Sequence, residues 1–71
     1  MKLNELIERE GDEYVSHCPE LNIASQGKSI EEARDNLKEA LQLFFETAST
    51  EEIKDRLHSE LFITQVEVTI A

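Results

Sequence analysis

The stretch Ser25-Gln26-Gly27-Lys28-Ser29-Ile30-Glu31-Glu32-Ala33-Arg34-Asp35-Asn36-Leu37-Lys38-Glu39-Ala40-Leu41-Gln42-Leu43-Phe44-Phe45-Glu46 decides the fold. Ile30, Ala33, Leu37, Ala40, Leu41 and Phe44 recur at helical spacing and make one apolar stripe on a 3.6-residue period. Glu31, Arg34, Asp35, Lys38, Glu39 and Gln42 fill the solvated face. Ser29 with Glu32 reads as a capping box, the hydroxyl serving a free N–H and the carboxylate reaching back. The spacing predicts a helix from Ser29 to about Glu46. Gly27 ahead of it supplies a backbone able to turn sharply out of an extended segment. A lone amphipathic helix must bury its stripe, and the rest of the chain reads as short strands.

Upstream, Lys2 to Glu10 reads as a strand that runs into a hairpin turn at Glu10-Gly11-Asp12. Glu13 to Cys18 is a second strand, with Tyr14, Ser16 and Cys18 on one face and Val15 and His17 on the other. Pro19 ends it, because proline donates nothing to a ladder. Pro19-Glu20-Leu21-Asn22 then forms a bend, and Ile23 to Gln26 a third strand. Downstream, Ser49 with Glu52 offers a second capping box, and Thr50 to His58 reads as a short helix with Ile53 and Leu57 as its apolar seam. Phe45, rotated about 100° from the main stripe, is expected either to pack under that helix or to meet another subunit. Leu61 to Ile70 alternates as a strand, with Phe62, Thr64, Val66, Val68 and Ile70 on one face. The predicted fold is α+β: a four-stranded, mainly antiparallel sheet with one long and one short helix on one face, in the order βββ-α-(α)-β. Residues 1–71 are expected to form a single domain.

Sixteen acidic residues against seven basic ones give a net charge of −9. Such a field repels phosphate backbones, so direct nucleic-acid binding is not expected. The acidity either keeps a small domain soluble or attracts a basic protein, and composition leaves both open. The lone Cys18 excludes an intramolecular disulfide and a Cys-x-x-Cys zinc site. The sequence contains no apolar run of signal-peptide or membrane-spanning length, which points to a cytoplasmic protein. A chain of 71 residues buries a small core, and a partner copy would extend it, so a homo-oligomer (dimer or higher) is expected.

No constellation of residues points to catalysis. His17 and Cys18 are adjacent on a strand and face opposite ways, so they cannot converge on one ion or act as a nucleophile pair. Glu8, Glu10, Asp12 and Glu13 crowd a hairpin tip, where exposed charge is ordinary. Glu31, Glu32, Glu51 and Glu52 sit at helix starts, where carboxylates complement the dipole. The Ser25–Ser29 turn lacks the glycine spacing of a phosphate loop. The expectation is a non-enzyme with no catalytic, cofactor-binding or metal-binding residues.

Three blocks then stand in order: Tyr14-Val15-Ser16-His17-Cys18-Pro19-Glu20-Leu21, Ser25-Gln26-Gly27-Lys28-Ser29-Ile30-Glu31-Glu32-Ala33, and Asn36-Leu37-Lys38-Glu39-Ala40. Together they resemble the HicB-like antitoxin family, whose pattern runs Tyr-Val-x-x-Cys-Pro-Glu-Leu, Ser-Gln-Gly-x-Ser/Thr-x-Glu-Glu-Ala and Asn-Leu-x-Glu-Ala. The resemblance implies a truncated RNase H-like core without catalytic carboxylates. It also implies a place in a toxin–antitoxin system, by binding and occluding a basic, HicA-like ribonuclease toxin that cleaves mRNA. Acidic residues would then compete with RNA for the toxin's basic surface. The alternative is an orphan stand-alone regulatory or ligand-binding module of the same fold with no toxin partner. Partner contacts are expected at Tyr14, His17, Glu20 and Gln26. Many HicB-like proteins continue into an operator-binding domain; here the sequence ends at Ala71, so DNA binding by this polypeptide is not expected. Leu21-Asn22-Ile23 also lacks the Pro-Gly of many relatives, so the bend after Pro19 is expected to differ in detail.

Overall fold

The computed structural model describes residues 1–58 and 60–70. Three strands and two helices follow in chain order: β1 (Leu6–Glu10), β2 (Glu13–Cys18), β3 (Ile23–Gly27), α1 (Ile30–Thr47) and α2 (Thr50–Arg56). The sheet is an antiparallel meander in the order β1-β2-β3. Leu6 stands opposite His17 and Glu10 opposite Glu13, leaving Gly11-Asp12 as a two-residue loop. Gly11 takes φ 60° at the first loop position, where a hairpin turn of type II′ requires glycine.

α1 forms where the stripe places it. The Ser29 hydroxyl accepts from the Glu32 N–H at 3.1 Å. The Glu32 carboxylate reaches back one residue further than a standard capping box and accepts from the Lys28 N–H at 3.3 Å. Ala33 and Leu37 are buried on the stripe, and Leu37 packs with Cys18 and Leu21 to form the core. Leu41, Phe44, Phe45, Ile23, Leu3 and Leu57 close around that centre.

Gly27 has a different purpose from the sharp turn anticipated for it. A Cβ at this position would lie 2.6 Å from the Ala33 backbone nitrogen and 2.8 Å from the Glu32 carbonyl carbon. The end of β3 therefore touches the first turn of α1 backbone to backbone. Only glycine permits that approach.

Among the described residues the sheet has three strands, not the expected four. Residues 61–70, anticipated as the fourth, carry no regular structure and are exposed throughout. Phe62 is 85 % exposed and Ile70 89 %. Alternating β-branched residues specify the shape of a strand, but a strand also needs an edge to pair with, and this segment is placed against none in its own chain. The radius of gyration shows the same thing. It is 14.3 Å, against about 11 Å for a compact domain of this length.

Three smaller differences have local causes. Residues 2–5, expected in the first strand, leave the ladder so that Asn4 can bond Glu20 at 2.8 Å. α2 ends at Arg56, two residues before the anticipated His58, because the Leu57 N–H closes on the Ile53 carbonyl as a cap. Phe44, rather than Phe45, meets the second helix: the Arg56 guanidinium lies 5.2 Å from the Phe44 ring centroid. Phe45 stands edge-on to Phe44 and faces the N-terminal arm.

Two substitutions test this packing. Leu37→Ala should lower unfolding free energy by about 2–4 kcal/mol, as for other buried leucines. Gly27→Ala should cost about 1–3 kcal/mol through overpacking against backbone that cannot yield. Urea denaturation followed by circular dichroism measures both.

Candidate functional site

The alternation of each strand divides the sheet into two unlike faces. Ser16 and Cys18 of β2, with Ile23 and Gly27 of β3, point toward α1. The other face has no helix across it. By register it carries Leu6, Glu8 and Glu10 from β1, Glu13, Val15 and His17 from β2, and Ala24 and Gln26 from β3. Leu6, Glu8, Val15, His17 and Ala24 line a shallow hollow there. Beyond it, Glu10 and Glu13 stand directly opposite each other at the hairpin end. No Lys or Arg occupies a strand position on this face. Like charges paired across a ladder repel, and no basic side chain at a strand position on this face offsets them.

The four expected contact residues separate. His17 and Gln26 lie on the helix-free face, on neighbouring strands, where His17 pairs with Ala24 and Gln26 with Val15. The His17 ring Nε2 is 3.0 Å from Asn22 Oδ1, which fixes the ring against the β2–β3 loop. Tyr14 is on the opposite face, half-buried, with the Arg9 guanidinium 6.0 Å from its ring centroid. Glu20 is buried. Sequence reasoning passed over Glu8, Glu10 and Glu13 as ordinary hairpin charge, although the alternation Leu6-Glu8-Glu10 already placed them on one face.

Glu20 is not available to a partner, because the fold uses every part of it. Its Oε2 accepts from the Asn4 backbone N–H and side-chain amide, both at 2.8 Å. Its Oε1 accepts from the Cys18 thiol at 3.6 Å. Its backbone carbonyl accepts from the His58 N–H at 2.9 Å. Burial alone would raise the carboxyl pKa, but the hydrogen bonds from the Asn4 and Glu20 backbone N–H groups, the Asn4 amide and the Cys18 thiol outweigh it, and the group sits below its ordinary value. Burial pushes the Cys18 thiol up, and the neighbouring Glu20 carboxylate adds to the effect. Cys18 is therefore a neutral, enclosed thiol rather than a nucleophile.

The next residues of the same loop are held with equal care. Leu21 is fully buried, and Asn22 takes φ 53°, a left-handed conformation that asparagine tolerates. Arg56 donates to the Leu21 carbonyl at 3.0 Å and to the Asn22 carbonyl at 3.3 Å. The Cys-Pro-Glu-Leu block thus builds the frame on which the helix-free face is stretched.

A UPF0150 protein of Helicobacter pylori is 33 % identical over 72 positions, covering all of this chain and all of that protein. The chain belongs to the UPF0150 family. No family model and no solved structure matches it. This UPF0150 chain leaves uncovered an acidic, helix-free sheet face and residues 61–70. Among the described residues, no helix is long and apolar enough to cross a membrane, and no three His, Cys, Asp or Glu side chains are placed to hold a metal ion.

The Glu20 bonds have a titration signature. A carboxyl depressed in the folded state stabilises the fold above its unfolded value, 4.5, and that contribution is lost as pH falls through the lower folded value. Glu20→Gln should cost about 1–3 kcal/mol at neutral pH and flatten the loss of stability as pH falls from neutral to below 4.5. Urea titrations across that range measure it. Cys18 should react with an aromatic disulfide reagent only as fast as the protein opens, and within seconds in denaturant, as absorbance reads directly.

Proposed function

We propose that this protein is a non-catalytic, HicB-like antitoxin of the cytoplasm that binds and occludes a basic, HicA-type mRNA-cleaving toxin. The observation that carries this reading is the helix-free sheet face, with Glu8, Glu10 and Glu13 beside the hollow of Leu6, Val15 and Ala24. The three sequence blocks shared with HicB-like antitoxins support the same conclusion. In physical terms the mechanism is competition. A ribonuclease toxin that grips RNA phosphates with Lys and Arg presents a surface that the carboxylates can neutralise. The apolar hollow adds non-ionic contact, so that binding survives physiological salt. His17 and Gln26 supply hydrogen bonds between these two zones. Tyr14 and Glu20 contribute indirectly, Tyr14 by packing with Arg9 and Glu20 by holding the β2–β3 loop.

This reading predicts that an equimolar amount of the protein abolishes RNA cleavage by a HicA-type toxin. Glu8→Lys with Glu10→Lys should weaken toxin binding about 10–100-fold and reduce its salt dependence. Glu39→Lys with Glu46→Lys makes the same change in net charge on α1 and should leave binding nearly unchanged. Calorimetry at two salt concentrations reads both. Undiminished cleavage at excess protein would remove the antitoxin reading.

A further inference from the structure

Residues 1–5 form an arm without regular structure, and three of its side chains fasten it to different parts of the domain. Leu3 packs against the cluster of Cys18, Leu21 and Leu37. Asn4 gives its backbone N–H and its side-chain amide to Glu20 Oε2, both at 2.8 Å. Glu5 accepts from the Ser16 hydroxyl at 2.7 Å and pairs with Arg34 of α1 at 3.2 Å. The arm thereby covers a polar row that runs off the end of β2. Ser16 and Cys18 are 0 % exposed and Glu20 9 %, and the Cys18 thiol donates to the Glu20 oxygen that Asn4 leaves free.

The rest of the fold does not need the arm in order to hold its shape. The β1–β2 ladder begins at Leu6, and α1 packs on β2 and β3. On its outer side the arm borders an open groove of about 940 Å³, and α1 forms the opposite wall. The arm therefore has room to move, and water has a path to the groups beneath it. The Glu5–Arg34 pair is a weak fastening, because the Arg34 side chain is 62 % exposed.

We infer that residues 1–5 are a strap that opens on its own, with the sheet and α1 in place, and that solvent and small reagents reach Cys18 and Glu20 through this opening. Opening returns the backbone entropy of the arm, and water replaces the hydrogen bonds that it breaks. It is therefore a smaller step than unfolding of the domain, as for other chain ends tied down by a few contacts. The two Asn4 donors on one buried carboxylate oxygen keep the strap shut in the resting state. Cys18 is thus shielded by a local closure and not by the stability of the whole fold. This gating is independent of the antitoxin reading, since the arm lies on the α1 side of the sheet.

The test uses the full chain in urea below its unfolding transition, with an aromatic disulfide reagent dilute enough that closing outpaces reaction. The Cys18 rate should stay nearly flat at first and climb steeply only near the transition, because a strap exposes little surface and the whole domain much. Exchange of the Asn4 N–H, followed by NMR, should share the flat limb, while the Leu37 N–H inside α1 should follow the steep one throughout. Asn4→Ala removes one of the two Asn4 donors and should raise the flat rate about 3–10-fold. Gly27→Ala weakens the β3–α1 contact, away from the arm, and should leave the flat rate unchanged while moving the steep limb to lower urea. A Cys18 rate that climbs from zero urea with the slope of global unfolding would overturn the proposal. So would an Asn4→Ala rate equal to that of the unaltered protein, or a Gly27→Ala rate raised in proportion to its loss of stability. The urea series on the unaltered protein decides the matter even where a substitution prevents folding.

Discussion

Glu20 is the point at which separate parts of the chain are tied together. Its carboxylate gathers the N-terminal arm through Asn4 and the end of β2 through Cys18, and its carbonyl receives the N–H of His58, two residues past the end of α2. A buried carboxylate is costly unless its lone pairs are filled, and here donors from distant positions fill them. The arrangement explains why an acidic residue stands between proline and a buried leucine in a chain that already carries excess negative charge. It also explains why the core can be so small. Cys18, Leu21 and Leu37 supply the apolar centre, and the polar bonds around Glu20 fix how the arm and α2 close over it.

The long helix was fully legible, because a stripe of six apolar residues and a Ser-x-x-Glu start leave one interpretation. β2 was equally clear, since a hairpin turn and a proline bracket it. The sequence could not reveal which strand signals would find partners. Residues 61–70 alternate more cleanly than β1 does, yet β1 is in the sheet and they are not. Periodicity records what a segment can present, whereas pairing depends on where the preceding elements deliver it. Gly27 illustrates a second blind spot: a glycine kept for close backbone contact looks the same in sequence as one kept for a turn.

The candidate site divides along the same line. His17 and Gln26 were expected to meet a partner as polar residues near strand ends, and the register puts both on one face. Tyr14 has the opposite parity to His17 on the same strand, so the two were never able to meet one partner side by side. Glu20 belonged to a motif, and motif membership suggested exposure where the residue is enclosed. The carboxylates that do share a face with His17 were discounted because hairpin tips are commonly charged. Their significance lies in the lack of compensating cations on the same strand faces, which becomes evident only with the register known.

α2 has seven residues, none of them buried, and rests on its caps, on the stacking of Arg56 over Phe44, and on the bonds from Arg56 to the Leu21 and Asn22 carbonyls. It acts as a latch more than as a layer of the fold. One guanidinium and two loop carbonyls therefore moor the last turn of the second helix to the β2–β3 loop, so a single side chain joins the two ends of the core that Cys18, Leu21 and Leu37 leave small.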